Sequence, residues 1–327
     1  MKLVIAVPHP FPLWRVPEWF VPRLEHEFAG LNAVNVASFE EMPAALADAD
    51  VLVTYSLREG QLAQARKLRW IHSTMAGVGP VLTPEVVSRD IVVTNASEVH
   101  GGAVAEHAFA LLLALAKQLN RARDMQHEHH WGLDALLADG PVPRTVVGAT
   151  LVLIGLGAIG RRVAAMAKAF EMRVIGVRQD PARGMANTDR VVGFDQIDEV
   201  LPEADFVALA APVTEITRHM MNADRLALLK PSAYLINVAR GALVDEAALS
   251  DALREKRIAG AALDVFTEEP LPENSELWRL RNVIITPHSA GLNAKLWDLQ
   301  YEVLAENLRR FRAGEPLLNV VNKVRGY

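Results

Sequence analysis

The chain has 327 residues, a length that predicts two domains of ordinary size. Hydrophobic residues make up 51% of the chain and charged residues 22%, which excludes a disordered or fibrous protein. The net charge of −5 argues against a nucleic-acid partner, because it leaves no overall positive field. The chain has no Cys, which excludes disulfides, thiolate nucleophiles and iron–sulfur clusters.

The longest uninterrupted apolar run, residues 108–116, is far shorter than the roughly 20 residues of a membrane-spanning helix. The apolar run at the start of the chain is broken by prolines before any small-residue cleavage site. We therefore expect a soluble protein of the cytoplasm with no membrane partner.

Short β-branched runs alternate with longer helical runs, a pattern typical of βαβ units and parallel sheets. The first part of the chain predicts five strands, at residues 3–7, 34–37, 51–55, 70–73 and 91–94. A second series predicts six more, at residues 151–154, 173–177, 206–210, 234–237, 261–265 and 283–285. The fold class is therefore α/β, with two parallel sheets.

Two helices are predicted outside these series. Residues 101–119 are apolar on nearly every face, which predicts a buried helix between domains or subunits. His107 within it is interpreted as a core histidine whose hydrogen bonds are satisfied. A last helix is predicted at residues 294–312.

Three histidines near Glu128 lack the spacing of a metal site, so we expect a solvated helix end and no metal there: His127, His129 and His130.

A glycine motif follows the first strand of the second series. Gly155, Gly157 and Gly160 form a GxGxxG pattern directly after an apolar strand and directly before a helical run. Such glycines permit a tight turn, a close approach of the backbone to a pyrophosphate, and close packing of helix on strand. The pattern predicts a dinucleotide-binding site.

The end of the next strand bears on the choice of cofactor. An acidic residue usually stands there to accept the ribose hydroxyls of NAD, but this chain has Arg178. A guanidinium can bind a 2′-phosphate through charge-assisted hydrogen bonds, which favours NADP over NAD. The alternative is that Arg178 stacks on adenine or points to solvent and that NAD is the cofactor, since Asp180 stands nearby.

Three later strands each end on ionisable residues, at the edge where open α/β sheets bind ligands. Arg240 follows the strand in YLINVARG, Asp264 and Glu269 follow the next strand, and His288 follows the strand in VIITPHSAG. An arginine, a carboxylate and a histidine together can bind an anion, orient an imidazole and move a proton. This set is suited to the reduction of an anionic ketone.

These motifs give the chain its resemblance to a known family. It resembles the D-isomer-specific 2-hydroxyacid dehydrogenases, including the glyoxylate/hydroxypyruvate reductases and the glycerate and phosphoglycerate dehydrogenases, over nearly its whole length. The shared segments are GLGAIG, NVARGALVD, DVFTEEPLP, TPHSAG, STMAGVG and the helical segment VTNASEVHGGAVAEHAFALLLAL. The resemblance implies two Rossmann/flavodoxin-like βαβ domains with the cofactor domain inserted into the substrate domain. We expect residues 1–98 with 289–327 to form the substrate domain and residues 99–288 the dinucleotide-binding domain.

The resemblance also implies roles for individual residues. Arg240 would grip the carboxylate and carbonyl oxygen of a 2-oxo acid, and His288 would donate the proton during reduction. Glu269 would hydrogen-bond His288 and favour its imidazolium form. The substrate carboxylate would be held by the backbone of Ala76, Gly77 and Val78. Cofactor contacts would come from the three glycines and from Ala158, Ile159, Arg178, Pro212, Val238, Ala239 and Asp264.

The expected function is hydride transfer between NAD(P)H and a small 2-oxo or D-2-hydroxy acid, catalysed by a homodimer. One alternative is a nucleotide-sensing interaction protein similar to the C-terminal binding protein corepressors, which share the fold. Another is a phosphite-type dehydrogenase. A formate-type enzyme is disfavoured, because such relatives carry Gln where this chain has Glu269.

Overall fold

The computed structural model describes residues 1–138 and 140–326. The chain divides into two compact units. Unit 1 comprises Met1–His100 and Leu292–Tyr327, and unit 2 comprises Gly101–Gly291. The assignment of a substrate domain to residues 1–98 with 289–327, and of a cofactor domain to residues 99–288, stays a prediction.

The described residues form twelve strands, each within a residue or two of a predicted strand except β8. They are β1 Lys2–Ala6, β2 Asn32–Asn35, β3 Val51–Thr54, β4 Trp70–Ser73, β5 Val92–Thr94, β6 Thr150–Ile154, β7 Arg173–Val177, β8 Arg190–Val192, β9 Phe206–Leu209, β10 Tyr234–Asn237, β11 Gly260–Leu263 and β12 Val283–Ile285. The sequence analysis missed β8, because a three-residue edge strand carries too little periodicity to be recognised before its pairing with β7 is known.

The described α-helices number eleven. They are α1 Phe20–Glu27, α2 Met42–Ala45, α3 Pro84–Ser88, α4 Ser97–Ala116, α5 Leu119–His127, α6 Leu133–Ala138, α7 Ala158–Ala169, α8 Ile197–Val200, α9 Ala223–Ala227, α10 Glu246–Arg254 and α11 Leu296–Ala313. The helix predicted at residues 101–119 therefore begins four residues earlier and ends three earlier, and a new helix starts at Leu119. The last helix, predicted at 294–312, is Leu296–Ala313.

Unit 1 is built on a five-stranded sheet in the order β2-β1-β3-β4-β5, with parallel pairing throughout. All four residues of β3 and of β4 are buried. Continuous burial of this kind requires cover on both faces of the sheet, which is usual for parallel sheets. Two apolar clusters provide it, one around Met42 and Leu46 and the other around Phe20 and Tyr301.

Unit 2 is built on a seven-stranded parallel sheet in the order β12-β11-β10-β9-β6-β7-β8. The chain runs outward from β6 through β7 and β8, and then returns to the other side of β6 at β9. The carboxyl ends of β6 and β9 therefore form a topological switch point, the place where open α/β sheets bind ligands. The strands β10, β11 and β12 are neighbours, so the loops that follow them emerge side by side.

Among the described residues, α4 is the one helix long and apolar enough by composition to cross a membrane. Its mean hydropathy is 1.5, and 61% of the window that gives this value is buried within the protein. From Val104 to Ala116 most of its apolar side chains belong to the core of unit 2. A helix that is apolar nearly all round is buried to this extent when it packs in a protein core.

Candidate active site

The glycines of the GxGxxG motif form the turn between β6 and α7. Gly155 has a φ of +100°, and a Cβ there would lie 2.5 Å from the Ala210 backbone, which follows β9. A Cβ at Gly160 would lie 2.0 Å from the Gly155 carbonyl oxygen. These two positions need glycine because backbone passes against backbone, whereas a Cβ at Gly157 would meet nothing within 4 Å. The space over Gly157 is the opening through which a pyrophosphate can approach the backbone.

Helix α7 starts at this opening. Its N-cap is Gly157, which provides no side-chain hydrogen bond to the first turn, and Ala158 and Ile159 begin the helix half-buried. The first N–H groups of a helix have no partner within the helix and attract an anion. The turn and helix therefore fit the pyrophosphate of a dinucleotide cofactor.

Two further residues predicted to contact the cofactor follow strands next to this turn. Arg178 follows β7, is half-buried, and donates from Nη1 to the Gly184 carbonyl oxygen at 2.9 Å. A guanidinium has five N–H donors and this hydrogen bond uses one of them, so Arg178 can also bind an anion. Pro212 follows β9, is exposed, and its carbonyl oxygen accepts from Thr217 Oγ1 at 2.7 Å.

The loop after β10 places Arg240. Asn237, 1% exposed, accepts from the Ala239 N–H and donates to the Arg240 carbonyl oxygen, which fixes the turn. Val238 and Ala239 are buried within it. At Gly241 a Cβ would lie 1.9 Å from the Phe266 backbone, so glycine lets this loop pass directly against the loop that carries Glu269.

Arg240 is exposed and donates from Nη1 to the Ala239 carbonyl oxygen at 2.6 Å. Desolvation by the surrounding protein lowers the pKa of the guanidinium, and the neighbouring Glu269 carboxylate acts in the opposite direction. Arginine stays protonated in proteins, so Arg240 offers a fixed positive charge close to Glu269.

Glu269 and His288 form a hydrogen-bonded pair. Glu269 Oε2 lies 2.6 Å from His288 Nδ1, while Oε1 accepts the Phe266 N–H at 2.9 Å. The carboxylate is thus oriented by its own loop and in turn orients the imidazole. The His288 side chain is 46% exposed, which leaves Nε2 open to a substrate. An imidazole fixed through Nδ1 and open at Nε2 is arranged as a general acid or base.

His288 lies on a turn that is wrapped around the Asp264 carboxylate. Asp264 is 1% exposed, and its oxygens accept from Thr286 Oγ1 at 2.6 Å, Ser289 N at 2.8 Å and Ala290 N at 3.0 Å. The His288 N–H also donates to the Asp264 carbonyl oxygen at 2.9 Å. These bonds hold His288 at a φ of +49°, in the left-handed region that a side chain other than glycine rarely adopts.

In unit 1, the predicted carboxylate-binding residues follow β4. Ala76 and Gly77 are half-buried, and Val78 is buried. The Ala76 carbonyl oxygen accepts from Asn95 Nδ2 at 3.0 Å, which anchors the loop. Within residues 1–138 and 140–326, the main-chain N–H groups of Ala76, Gly77 and Val78 have no protein acceptor. Successive backbone N–H groups without protein acceptors are available to bind an anion.

The histidines near Glu128 lie at an exposed helix end, with α5 ending at His127. Within the described ranges, no group of three His, Cys, Asp or Glu side chains is arranged to hold a metal ion.

Comparison with known proteins identifies the family. The model of the D-isomer specific 2-hydroxyacid dehydrogenase, NAD binding domain, matches residues 109–290, more than half of the chain. A glyoxylate reductase of Pyrococcus furiosus is 36% identical over 315 residues, which are 94% of this chain and 93% of that protein. The chain belongs to the D-isomer specific 2-hydroxyacid dehydrogenase family.

Solved structures agree with this assignment. The D-isomer specific 2-hydroxyacid dehydrogenase of Xanthobacter autotrophicus Py2, in complex with NADPH and MES, is 30% identical with a TM-score of 0.85; the match covers 100% of this chain and 99% of the other. An NADPH-dependent glyoxylate/hydroxypyruvate reductase of Sinorhizobium meliloti, in complex with NADP and sulfate, is 25% identical with a TM-score of 0.83 and the same coverage. The protein is therefore an NAD(P)-dependent 2-hydroxyacid dehydrogenase, and the predicted family, α/β fold and enzyme class are confirmed.

The sequence analysis missed several residues that shape this dehydrogenase's site. Asn237 sets the turn before Arg240, and Thr286 binds Asp264. The Phe266 N–H orients Glu269. Because this donor is a backbone group, the identity of residue 266 does not indicate the contact. For Asn237 a signal exists, because a polar residue at the end of an apolar strand commonly binds the backbone of the turn that follows.

Proposed function

We propose that this dehydrogenase reduces a small 2-oxo acid, such as glyoxylate or hydroxypyruvate, to the corresponding 2-hydroxy acid, which has the D configuration where C2 becomes a stereocentre, and that NADPH is its preferred cofactor. The observation that carries the proposal is the 2.6 Å hydrogen bond between Glu269 and His288, next to the charged Arg240. This set combines a proton donor, its orienting carboxylate and an anion-binding guanidinium.

When bound, the reduced nicotinamide supplies the hydride, which goes to C2 of the 2-oxo acid. Arg240 donates to the carbonyl oxygen and stabilises the negative charge that develops there. His288 Nε2 gives its proton to the same oxygen, so that C2 gains one hydride and the oxygen one proton. Glu269 keeps the imidazole in position and offsets its positive charge before the transfer. The reverse sequence oxidises the hydroxy acid.

The substrate carboxylate is assigned to the N–H groups of Ala76, Gly77 and Val78. These N–H groups have no acceptor in the part of the protein that the structure describes, which supports this assignment, because unpaired backbone donors gain most from binding an anion. Asp264 and the backbone of Val238 are assigned to the nicotinamide carboxamide, and Ala239 and Pro212 to neighbouring cofactor contacts.

A substrate screen tests the proposal. Glyoxylate, hydroxypyruvate, pyruvate and phosphohydroxypyruvate are each assayed with NADPH and NADH by the loss of absorbance at the nicotinamide band. We expect turnover of at least one short 2-oxo acid. Absence of turnover across the panel, with cofactor binding intact, contradicts the proposal and favours the nucleotide-sensing alternative. Reduction of NAD(P)⁺ by phosphite supports the phosphite-type alternative.

Arg178 carries the cofactor preference. In Arg178→Asp, the ratio of kcat/KM for NADPH to that for NADH should fall roughly 10-fold or more, because one or two charge-assisted bonds to the 2′-phosphate are replaced by repulsion. Arg178→Lys keeps the positive charge and should retain most of the preference. A wild-type enzyme that already prefers NADH refutes the NADPH assignment.

A homodimer is part of the same proposal, and so is location in the cytoplasm. The segment after α5 exposes large apolar side chains, with Trp131 93%, Leu133 61% and Leu137 58% accessible. Exposed apolar groups clustered along one segment favour a protein interface. A second copy of this chain is the partner we assign to it.

A further inference from the structure

His107 on helix α4 contacts the turn that carries His288. Its Nε2 lies 3.0 Å from Thr286 Oγ1 and 3.6 Å from Asp264 Oδ1, and its side chain is 24% exposed. The sequence interpretation made His107 a core histidine with satisfied hydrogen bonds. The proposed reaction gives it no role, although its hydrogen-bond partner stands two residues before the proton donor.

The direction of each hydrogen bond follows from the number of protons available. The Asp264 carboxylate accepts from the N–H groups of Ser289 and Ala290, which makes it an acceptor toward Thr286 as well. Thr286 has one hydroxyl proton and gives it to Asp264 Oδ1 across 2.6 Å. Thr286 Oγ1 must then accept from His107, so the Nε2 of His107 carries a proton. The chain of donors runs from His107 through Thr286 to Asp264.

This series of hydrogen bonds ends on the Asp264 carboxylate, which shapes the turn of residues 286–290. The His288 N–H donates to the backbone oxygens of Asp264 and Thr286, and the carboxylate of Asp264 accepts from the two residues that follow His288. The left-handed φ of His288 is unfavourable by itself and persists only when its surroundings hold it. Bonds that fix Thr286 and Asp264 therefore also fix the direction of the His288 imidazole.

The chemical character of His107 fits a hydrogen-bonding role better than a packing role. Its helix neighbours Val104, Ala105, Ala108 and Leu111 are buried apolar residues in the core of unit 2. An apolar residue would pack in that setting without the desolvation of an imidazole. The imidazole gains from this position through the hydrogen bond to Thr286, with the Asp264 carboxylate 3.6 Å away.

We propose that His107 is a positioning residue for the proton donor. Its Nε2–H holds the Thr286 hydroxyl toward Asp264, and the resulting turn directs His288 Nδ1 at Glu269 and Nε2 at the substrate. The inference rests on the proposed function, because it assigns a purpose to the orientation of His288. This role acts through Thr286 and Asp264 and requires no contact of His107 with substrate or cofactor.

Two substitutions of His107 separate the hydrogen bond from packing. His107→Gln keeps an N–H donor near the position of Nε2, whereas His107→Leu fills the space without a donor. We expect His107→Leu to lower kcat by roughly 10–100-fold, as a small misplacement of a catalytic group does, with the Kd for NADPH changed less than about threefold. His107→Gln should stay within about threefold of wild type in kcat. Glu106→Gln, on the exposed side of the same helix, should match wild type.

Thr286 supplies an independent check of the same chain. Thr286→Ser keeps the hydroxyl and should retain turnover, while Thr286→Val should lose it to the same extent as His107→Leu. The double variant His107→Leu/Thr286→Val should be no slower than the slower single variant, because both remove one connected path. If His107→Leu fails to fold, His107→Met takes its place, and the Thr286 pair gives the decision.

The outcomes are distinguishable. Equal turnover in His107→Leu, His107→Gln and wild type overturns the inference, and so does an equal loss in the Leu and Gln variants, because then the donor is not what matters. His288→Gln is assayed alongside. Absence of wild-type turnover across the 2-oxo acid panel refutes the proposed function itself. Full turnover in His288→Gln refutes the role of His288 as proton donor, and an inactive His288→Gln with a fully active His107→Leu refutes only the positioning role.

Discussion

His288 reaches Glu269 through Nδ1 and therefore presents Nε2 to the reaction. In His288→Gln we expect kcat to fall by roughly 10²–10⁴-fold, because the amide cannot transfer a proton at neutral pH. The Kd for NADPH should stay near the wild-type value, as measured by quenching of protein fluorescence. Turnover equal to wild type would remove His288 from the mechanism.

His72 is a second histidine with a defined protonation state, and it lies in the core of unit 1. Complete burial lowers the pKa of its imidazole from 6.5 to about 4, and a contact with Gln300 acts weakly in the opposite direction. Its Nδ1 lies 2.9 Å from Thr94 Oγ1, which also accepts from Trp70 Nε1. The folded protein thus holds His72 neutral in a range of pH where the unfolded chain binds a proton.

The sign of the resulting pH dependence follows from this lowered pKa. Stability contributed by neutral His72 is fully present above about pH 6.5 and is lost as the pH falls toward 4. Between pH 7.5 and 5 the free energy of unfolding should fall by about 2 kcal/mol from this residue alone. Urea unfolding at the two pH values measures it. His72→Gln, which cannot bind the proton, should show a pH-dependent loss smaller by that amount, and an unchanged loss would refute the assignment.

At the scale of elements, the turn between β6 and α7 needs its glycines for two different reasons. A Cβ at Gly160 would meet the Gly155 carbonyl oxygen at 2.0 Å, a backbone atom that cannot rotate away, whereas a Cβ at Gly157 would enter open space. The two positions therefore separate packing from ligand binding within one motif.

Gly160→Ala should lower the stability of the dehydrogenase by about 1–3 kcal/mol, because helix and strand must move apart. Gly157→Ala is the matched control: its melting temperature should equal that of wild type, while its Kd for NADPH should rise roughly 10-fold because the methyl group stands where the pyrophosphate approaches. Thermal unfolding and cofactor titration measure the two effects. Equal melting temperatures for all three proteins would contradict the packing argument.

At the scale of the whole molecule, the apolar segment after α5 is exposed to solvent in the single chain, and we expect a second copy of the chain to cover it. Light scattering after gel filtration should give the mass of two chains. The double variant Trp131→Ser/Leu133→Ser removes the two most exposed of the three side chains and should shift the mass toward one chain, because most of the apolar contact is lost. Lys117→Ser, an exposed change just after α4, is the control and should leave the dimer intact. A monomeric wild type at micromolar concentration refutes the homodimer.

Much of this molecule could be predicted from its sequence because the signals are local. Apolar strands followed by glycine, arginine or histidine mark both the parallel sheets and their ligand-binding edges. The order of Arg240, Glu269 and His288 along the chain indicated neighbouring strand ends, and the pairing of β10, β11 and β12 agrees. The fully buried strands needed no tertiary knowledge, since a strand buried on both faces has a continuous apolar run that can be recognised in the sequence.

The tertiary structure decided what depends on contacts between distant segments. The edge strand β8 exists because β7 pairs with it. The orientation of Glu269 comes from the N–H of Phe266, and the link from His107 to Thr286 joins residues 179 positions apart. Such partners cannot be predicted from residue type. A backbone N–H is the same in every residue except proline, and a histidine in an apolar helix is interpreted as a core residue. The sequence by itself determined the fold class and the family, and only the fold brought the hydrogen bonds that orient His288 into one network.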